Sequence, residues 1–223
     1  MQTAAANAAP IGGADLTIIV HHLENSRSQR VLWLLEELGL PYEMKRYARD
    51  KATMLAPPEL KQVHPLGKSP VIEDGGTVVA ETGAILQYLV DKAEGKLSAP
   101  ANREDALRYR HFLHYAEGSL MPPLLVMLVL ARVPFFGKLA LKKFRPMAEV
   151  HFDYIEAELA SRPWFAGTSF TAADVMMSFP MEAAVKRAGI LIGRPHIAAF
   201  LEKIHARPAY QRALKAGGPY AYA

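Results

Sequence analysis

The spacing of apolar residues along this chain changes character near residue 94. Upstream, short β-branched runs alternate with helical stripes. Leu16-Thr17-Ile18-Ile19-Val20 has the length and composition of a strand buried on both faces. Val31, Leu34, Leu35 and Leu38 follow at i, i+3, i+4 and i+7. Leu32 and Trp33 widen that stripe until little of the helix is left for water, so it needs covering on both sides. Gly39 and Pro41 end the helix, and residues 42–47 read as a second strand, which makes a βαβ unit with a right-handed crossover. Two more strands, Val71 to Glu73 and Thr77 to Ala80, flank Asp74-Gly75-Gly76, whose tolerance of positive φ predicts a tight hairpin. Glu81-Thr82-Gly83 opens another helix with Leu86, Leu89, Val90 and Ala93 on one face. Residues 16–93 therefore predict a four-stranded mixed sheet with helices on it, a complete small domain.

Gly95, Ser98 and Pro100 break the periodicity and mark residues 94–102 as a linker. Residues 103–223 read as all-helical, so the expected fold class is α/β followed by all-α. Arg103 to Ala131 predicts one or two helices with a break or kink at Gly118 or Pro122, and another helix is expected from about Pro146 to Ala160. Thr171-Ala172-Ala173-Asp174 has the form of a capping box, opening a helix that Pro180 kinks. Residues 1–15 read as a loose tail with neither signal nor transit character. The longest apolar run, Leu120 to Ala131, has 12 residues and contains two prolines. A membrane span needs roughly 20, so a soluble, cytoplasmic chain without a membrane partner is expected.

Composition narrows the chemistry. The chain has 26 basic and 22 acidic side chains, a net charge of +4. Lys138, Lys142, Lys143 and Arg145 alternate with apolar residues and read as the solvated face of a helix, so no nucleic-acid partner is expected. Cysteine is absent, which excludes disulfides, thiolate-held clusters and a thiol nucleophile of the protein's own. Any sulfur chemistry must come from a ligand. His111 and His114 share a helix face, but no third ligand accompanies them, and no metal is expected.

Open α/β sheets bind ligands at the carboxyl ends of their strands. Three segments converge there: the loop His21 to Arg30, the edge Lys68 to Val71, and Glu81-Thr82 at a helix start. The helix N-terminus with its Thr82 hydroxyl suits a carboxylate, and Glu81 suits an ammonium. Together they describe an α-amino acid head group. If the Ser69-Pro70 bond is cis, Val71 presents its backbone to an extended peptide, and Lys68 adds a second anion contact. The implied ligand is a short acidic peptide. Ser26-x-x-Gln29 also reads as a capping box for the first helix.

The segments Ser26-Arg27-Ser28-Gln29-Arg30-Val31-Leu32-Trp33, His64-Pro65-Leu66-Gly67-Lys68-Ser69-Pro70-Val71 and Glu81-Thr82-Gly83-Ala84-Ile85-Leu86 resemble those of the glutathione transferase superfamily. So do Trp164-Phe165-Ala166-Gly167 and Phe170-Thr171-Ala172-Ala173-Asp174 in the helical half. The resemblance implies a thioredoxin-like domain that holds glutathione as co-substrate and a helical domain that receives a small-molecule electrophile. It makes Pro70 the cis-proline that follows Ser69, Val71 the backbone clamp, Glu81 and Thr82 the γ-glutamyl site, and Lys68 a contact to the glycyl carboxylate. The residue that stabilises the thiolate falls on Ser26, then Asn25, then Ser28. Tyr115, Met121 and Leu124 are the candidates for the electrophile pocket. The resemblance also implies a homodimer and a role in detoxification. The alternative is a non-catalytic member of the fold that binds ligands or other proteins.

Overall fold

The computed structural model describes residues 17–188 and 193–223. The expected tail at 1–15 and the expected strand start at Leu16 lie outside the described residues. The chain runs β1 (Ile18–Leu23), α1 (Ser28–Leu38), β2 (Tyr42–Tyr47), α2 (Leu60–Val63), β3 (Val71–Asp74), β4 (Thr77–Ala80) and α3 (Thr82–Lys92). Helices follow: α4 (Arg103–Tyr115), a π-helical turn (Ala116–Leu120), α5 (Met121–Leu130), α6 (Gly137–Ser161), α7 (Ala172–Ala188), α8 (Pro195–His205) and α9 (Pro208–Gly217).

The four strands form one mixed sheet in the order β2-β1-β3-β4. β1 pairs parallel to β2 with Ile18 opposite Tyr42, and antiparallel to β3 with Val20 opposite Ile72. This is the thioredoxin-like arrangement, followed by a helical domain. β1 continues past the apolar run to Leu23 because its two histidines find polar partners inside the protein. His21 lies 2.9 Å from the Tyr47 hydroxyl and 2.6 Å from Glu73.

Helix α1 is buried nearly all round, from Ser28 to Leu35. The sheet covers one side of it, and α7 and α9 of the helical half cover the other. Trp33 sits edge-on to Tyr210 of α9 at 5.1 Å between ring centroids. One hydrophobic core consequently runs through both halves of the molecule.

One helical expectation is met in a particular form and one changes. The irregularity expected at Gly118 or Pro122 is a π turn over Ala116–Leu120, not a chain break. Pro122 and Pro123 sit in the first turn of α5, and the π turn before them closes Met121 N–H onto the Ala116 carbonyl, so the helix continues in a wider register. The resulting 28-residue helix, Arg103–Leu130, is long and apolar enough to cross a bilayer by composition, which the uninterrupted apolar run is not. Phe112, Leu120 and Met121 on it are buried in the helical core. The next helix starts at Gly137 rather than near Pro146. Pro146 lies inside α6, where it costs one backbone hydrogen bond, and the lysine-rich segment before it is helical and packed along α5. One half of the expected capping box at Thr171 forms: its N–H donates to Asp174 Oδ2 at 2.8 Å, while its hydroxyl donates to the same oxygen at 3.2 Å and Phe165 N–H donates to Asp174 Oδ1 at 2.9 Å.

Candidate active site

β1 ends at Leu23, and α1 begins five residues later. The loop between them is held from below by a chain of hydroxyls. Leu23 N–H donates to Ser28 Oγ at 3.2 Å and to Ser69 Oγ at 3.3 Å, while Ser69 donates its proton to the His21 carbonyl at 2.8 Å. Burial, with help from the charge of Arg46, lowers the His22 imidazole to about 4 and keeps it neutral. Its Nδ1 lies 2.9 Å from Ser28 Oγ, and the ring also hydrogen-bonds the Gly217 backbone. Ser28 Oγ also lies 3.2 Å from the Leu23 carbonyl, so its single proton has two buried acceptors within reach. Ser26 Oγ, 2.8 Å from Ser28 Oγ, joins the same buried hydroxyl network.

That arrangement differs from the capping box expected of Ser26 and Gln29. Arg27 occupies the cap position of α1 and makes no side-chain cap bond. Ser26 Oγ instead accepts from Ser28 N–H at 3.2 Å, and both polar atoms of the buried Gln29 amide lack a hydrogen-bond partner among the described residues. Ser26 and Ser28 are both buried. Asn25 is half-buried, with a left-handed backbone at φ 49°. Its Oδ1 accepts the N–H of Ala221 at 2.7 Å. A backbone N–H only donates, so this bond fixes the orientation of the amide and turns Nδ2 the other way.

Opposite the loop, Lys68, Ser69, Pro70, Val71, Glu81 and Thr82 line one cleft of about 250 Å³. All the residues expected to bind the peptide are thus brought together. The Ser69-Pro70 bond is cis and leads directly into β3. Glu81 has φ 70°, a conformation that costs a non-glycine residue ~1–3 kcal/mol and that clusters at ligand sites. Thr82, at the N-terminus of α3, accepts from Arg30 Nη2 at 3.4 Å and keeps its own proton to donate.

Glu117 also lines this cleft, and sequence reasoning did not single it out. The π turn carries it. Arg27 Nε lies 2.9 Å from both its oxygens and Arg30 Nη2 lies 2.5 Å from one. Burial alone would raise its pKa, but Arg30 and Arg27 outweigh that and hold the carboxyl below the usual range. Arg30 is itself fully buried and donates to the Met176 carbonyl at 2.6 Å. The signal was present in the sequence: Glu117 is the only acid between Asp105 and Glu149.

The electrophile candidates are not brought to one place. Leu124 lines a groove of about 420 Å³ with Met127, Leu128 and Leu141, between α5 and α6. Met121 is buried one turn earlier and Tyr115 lies in an aromatic cluster, its hydroxyl 2.6 Å from His151 Nδ1 and its ring stacked on His111. Ala183 of α7 closes the groove. One turn before it, Phe179 lies beneath the guanidinium groups of Arg27 and Arg30, at 5.2 and 5.4 Å, and against Tyr222.

Comparison with known proteins agrees with this architecture. The glutathione S-transferase N-terminal domain family matches residues 17–91, and the glutathione S-transferase C-terminal domain family matches residues 120–208. Glutathione S-transferase 3 of Schizosaccharomyces pombe is 40% identical over 182 residues, 75% of this chain and 74% of that protein. Glutathione S-transferase 1 of Saccharomyces cerevisiae is 38% identical over 194 residues, 76% of this chain and 82% of that one. The crystal structure of a glutathione S-transferase from Actinobacillus pleuropneumoniae superposes with a TM-score of 0.81 at 33% identity, over 92% of this chain and 94% of the other. The chain belongs to the glutathione S-transferase family of enzymes.

Proposed function

We propose that this enzyme binds reduced glutathione in the cleft between cis-Pro70 and Glu81, holds its sulfur as a thiolate against the β1–α1 loop, and directs it at a hydrophobic electrophile or organic hydroperoxide. One observation carries this reading: a carboxylate, a helix N-terminus with its hydroxyl, a lysine and an edge backbone surround one cleft. That set matches the two charged ends and the extended backbone of a γ-glutamyl tripeptide. The α-carboxylate goes to Thr82, the α-ammonium to Glu81, the cysteinyl backbone to Val71 and the glycyl carboxylate to Lys68.

A thiol of pKa about 8.5 is only a few per cent ionised at pH 7, and one hydrogen bond donated to the thiolate is worth ~1.5–3 kcal/mol, one to two pKa units. No general base is needed. Ser26 is the leading candidate from sequence, but its hydroxyl is buried and engaged with Ser28 in the network that reaches His22. Nδ2 of Asn25 makes no such commitment, so the geometry favours Asn25 as the donor, with Ser26 second. The acceptor sits in the groove that Leu124 lines, whose rim carries Lys138, Lys142 and Arg145. A cytoplasmic homodimer is the assembly consistent with the family.

The test is isothermal calorimetry with reduced glutathione, followed by conjugation of an activated aryl halide. Heat of binding with turnover is expected. Absence of heat from folded protein overturns the reading, and binding without turnover supports a non-catalytic ligand-binding module instead.

A further inference from the structure

The tip of the α5–α6 hairpin has a surface that the proposed reaction does not use. Phe135 is 97% exposed and Phe136 is 77% exposed, side by side in the turn between the two helices. Val129, Val133 and Leu139 around them are exposed as well. Monomeric proteins rarely leave contiguous apolar surface of this kind without a use for it. The turn is also held in shape. Gly137 packs so closely on the end of α5 that a Cβ there would lie 2.2 Å from the Leu130 carbonyl oxygen. The Phe136 N–H bonds the Pro134 carbonyl at 2.7 Å, and Phe135 has φ 60°. The two rings are therefore presented outward by the backbone.

Charge says what kind of partner fits. From Gly118 to Ala148 the chain has no Asp or Glu and five cations: Arg132, Lys138, Lys142, Lys143 and Arg145. This segment alone exceeds the net charge of the whole chain, +4, so the remainder is slightly acidic. All five are exposed, and of them only Arg145 forms a salt bridge among the described residues, with Glu149 at 2.9 Å. Two adjacent aromatic rings on a protruding turn ask for a soft apolar medium, and the surrounding cations ask for a dense anionic surface next to it. The headgroup boundary of an anionic bilayer supplies both.

We infer that the α5–α6 tip is a peripheral docking surface for an anionic lipid bilayer, with Phe135 and Phe136 entering the headgroup boundary and Arg132 and Lys143, which lie outside the groove, facing the headgroups. This is attachment to a surface and not a span. It replaces the expectation that the protein has no membrane partner, which rested on the absence of a long apolar run.

The experiment is co-sedimentation of the full chain with vesicles of phosphatidylserine and phosphatidylcholine, at low and high salt, beside sedimentation velocity without lipid. Wild type is expected to pellet with these vesicles at low salt and to be released by high salt. Phe135→Ser with Phe136→Ser, and separately Arg132→Glu with Lys143→Glu, should each weaken binding about tenfold or more, as losing two inserted rings or reversing two charges near the surface would. Retention on immobilised glutathione reports that each variant is folded. Folded wild type that stays in the supernatant overturns the inference, as does a Phe135/Phe136 variant that still binds fully. If that variant instead dissociates an oligomer in the absence of lipid, the tip is a contact between copies of this chain, and the bilayer reading falls.

Discussion

At the scale of single residues, the site depends on which hydrogen-bond donors are already spent. Ser26 and Ser28 are engaged with each other and with His22 in a buried hydroxyl network, whereas Asn25 Oδ1 accepts from Ala221 N–H, which turns its Nδ2 away from that contact. Asn25→Ala is therefore expected to lower kcat about tenfold or more and to raise the pKa of bound thiol, with Ser26→Ala doing less, because removing a donor to a charged sulfur costs ~1.5–3 kcal/mol. Ultraviolet absorbance of the thiolate against pH, together with kcat, measures both; the reverse ranking returns the role to Ser26. His22 yields a second expectation. Its folded pKa is depressed to about 4 from 6.5, so the unfolded chain takes up the proton first as pH falls. The stability it contributes is complete above the unfolded value and is lost on descending toward the folded one, roughly 2 kcal/mol between about pH 7 and about pH 5. Urea unfolding at both pH values should show a shallower loss for His22→Gln than for wild type. None of this was legible in the sequence, where two adjacent histidines at a strand end carry no mark of burial.

At the scale of elements, the structure shows how distant segments meet at one loop. The chain after α9 returns across the active-site end of α1. Gly217 O accepts from Arg46, Tyr220 donates to Glu182 at 2.6 Å, and Ala221 holds Asn25. Removing residues 219–223 frees the Asn25 amide to rotate while leaving the cleft at Glu81 and Lys68 intact. The truncated protein should lose kcat by several-fold with little change in KM for glutathione, and steady-state kinetics with glutathione as the varied substrate checks that. A matching rise in KM would place the segment in binding rather than in orientation. Element type was readable where one period dominates, as in α1 or the hairpin at Asp74-Gly75-Gly76. It was misread around Pro146. A proline's cost is local, while packing along α4, α5 and α6 acts over many residues and wins.

At the scale of the whole molecule, the two halves share one core, with α1 between them. Glu37 at the end of α1 accepts from Trp33 Nε1 at 2.9 Å and is gripped by Arg207 at 2.5 and 2.9 Å, so the sheet half and the segment entering α9 are tied by charge as well as by packing. A partly buried bidentate pair of this kind is worth more than an exposed one. Unfolding should accordingly be a single transition, with tryptophan fluorescence and far-ultraviolet circular dichroism coinciding. Trp33 reports from the shared face and Trp164 from the helical half. Separate transitions for the two signals would show that the halves are energetically independent.

The sequence by itself determined the order of strands and helices, the four-stranded sheet and the grouping of Lys68, Pro70, Glu81 and Thr82 into a candidate peptide site, because these follow from periodicity and from short motifs in which each residue's neighbours are close along the chain. Only the tertiary structure decided that Ala221 pins the Asn25 amide, that Glu117 joins the cleft, and that Phe135 and Phe136 stand outside the core. Those outcomes depend on contacts between residues tens to nearly two hundred positions apart, such as Asn25 with Ala221 and Arg30 with Glu117. Burial and hydrogen-bond competition at such distances leave no local pattern to read.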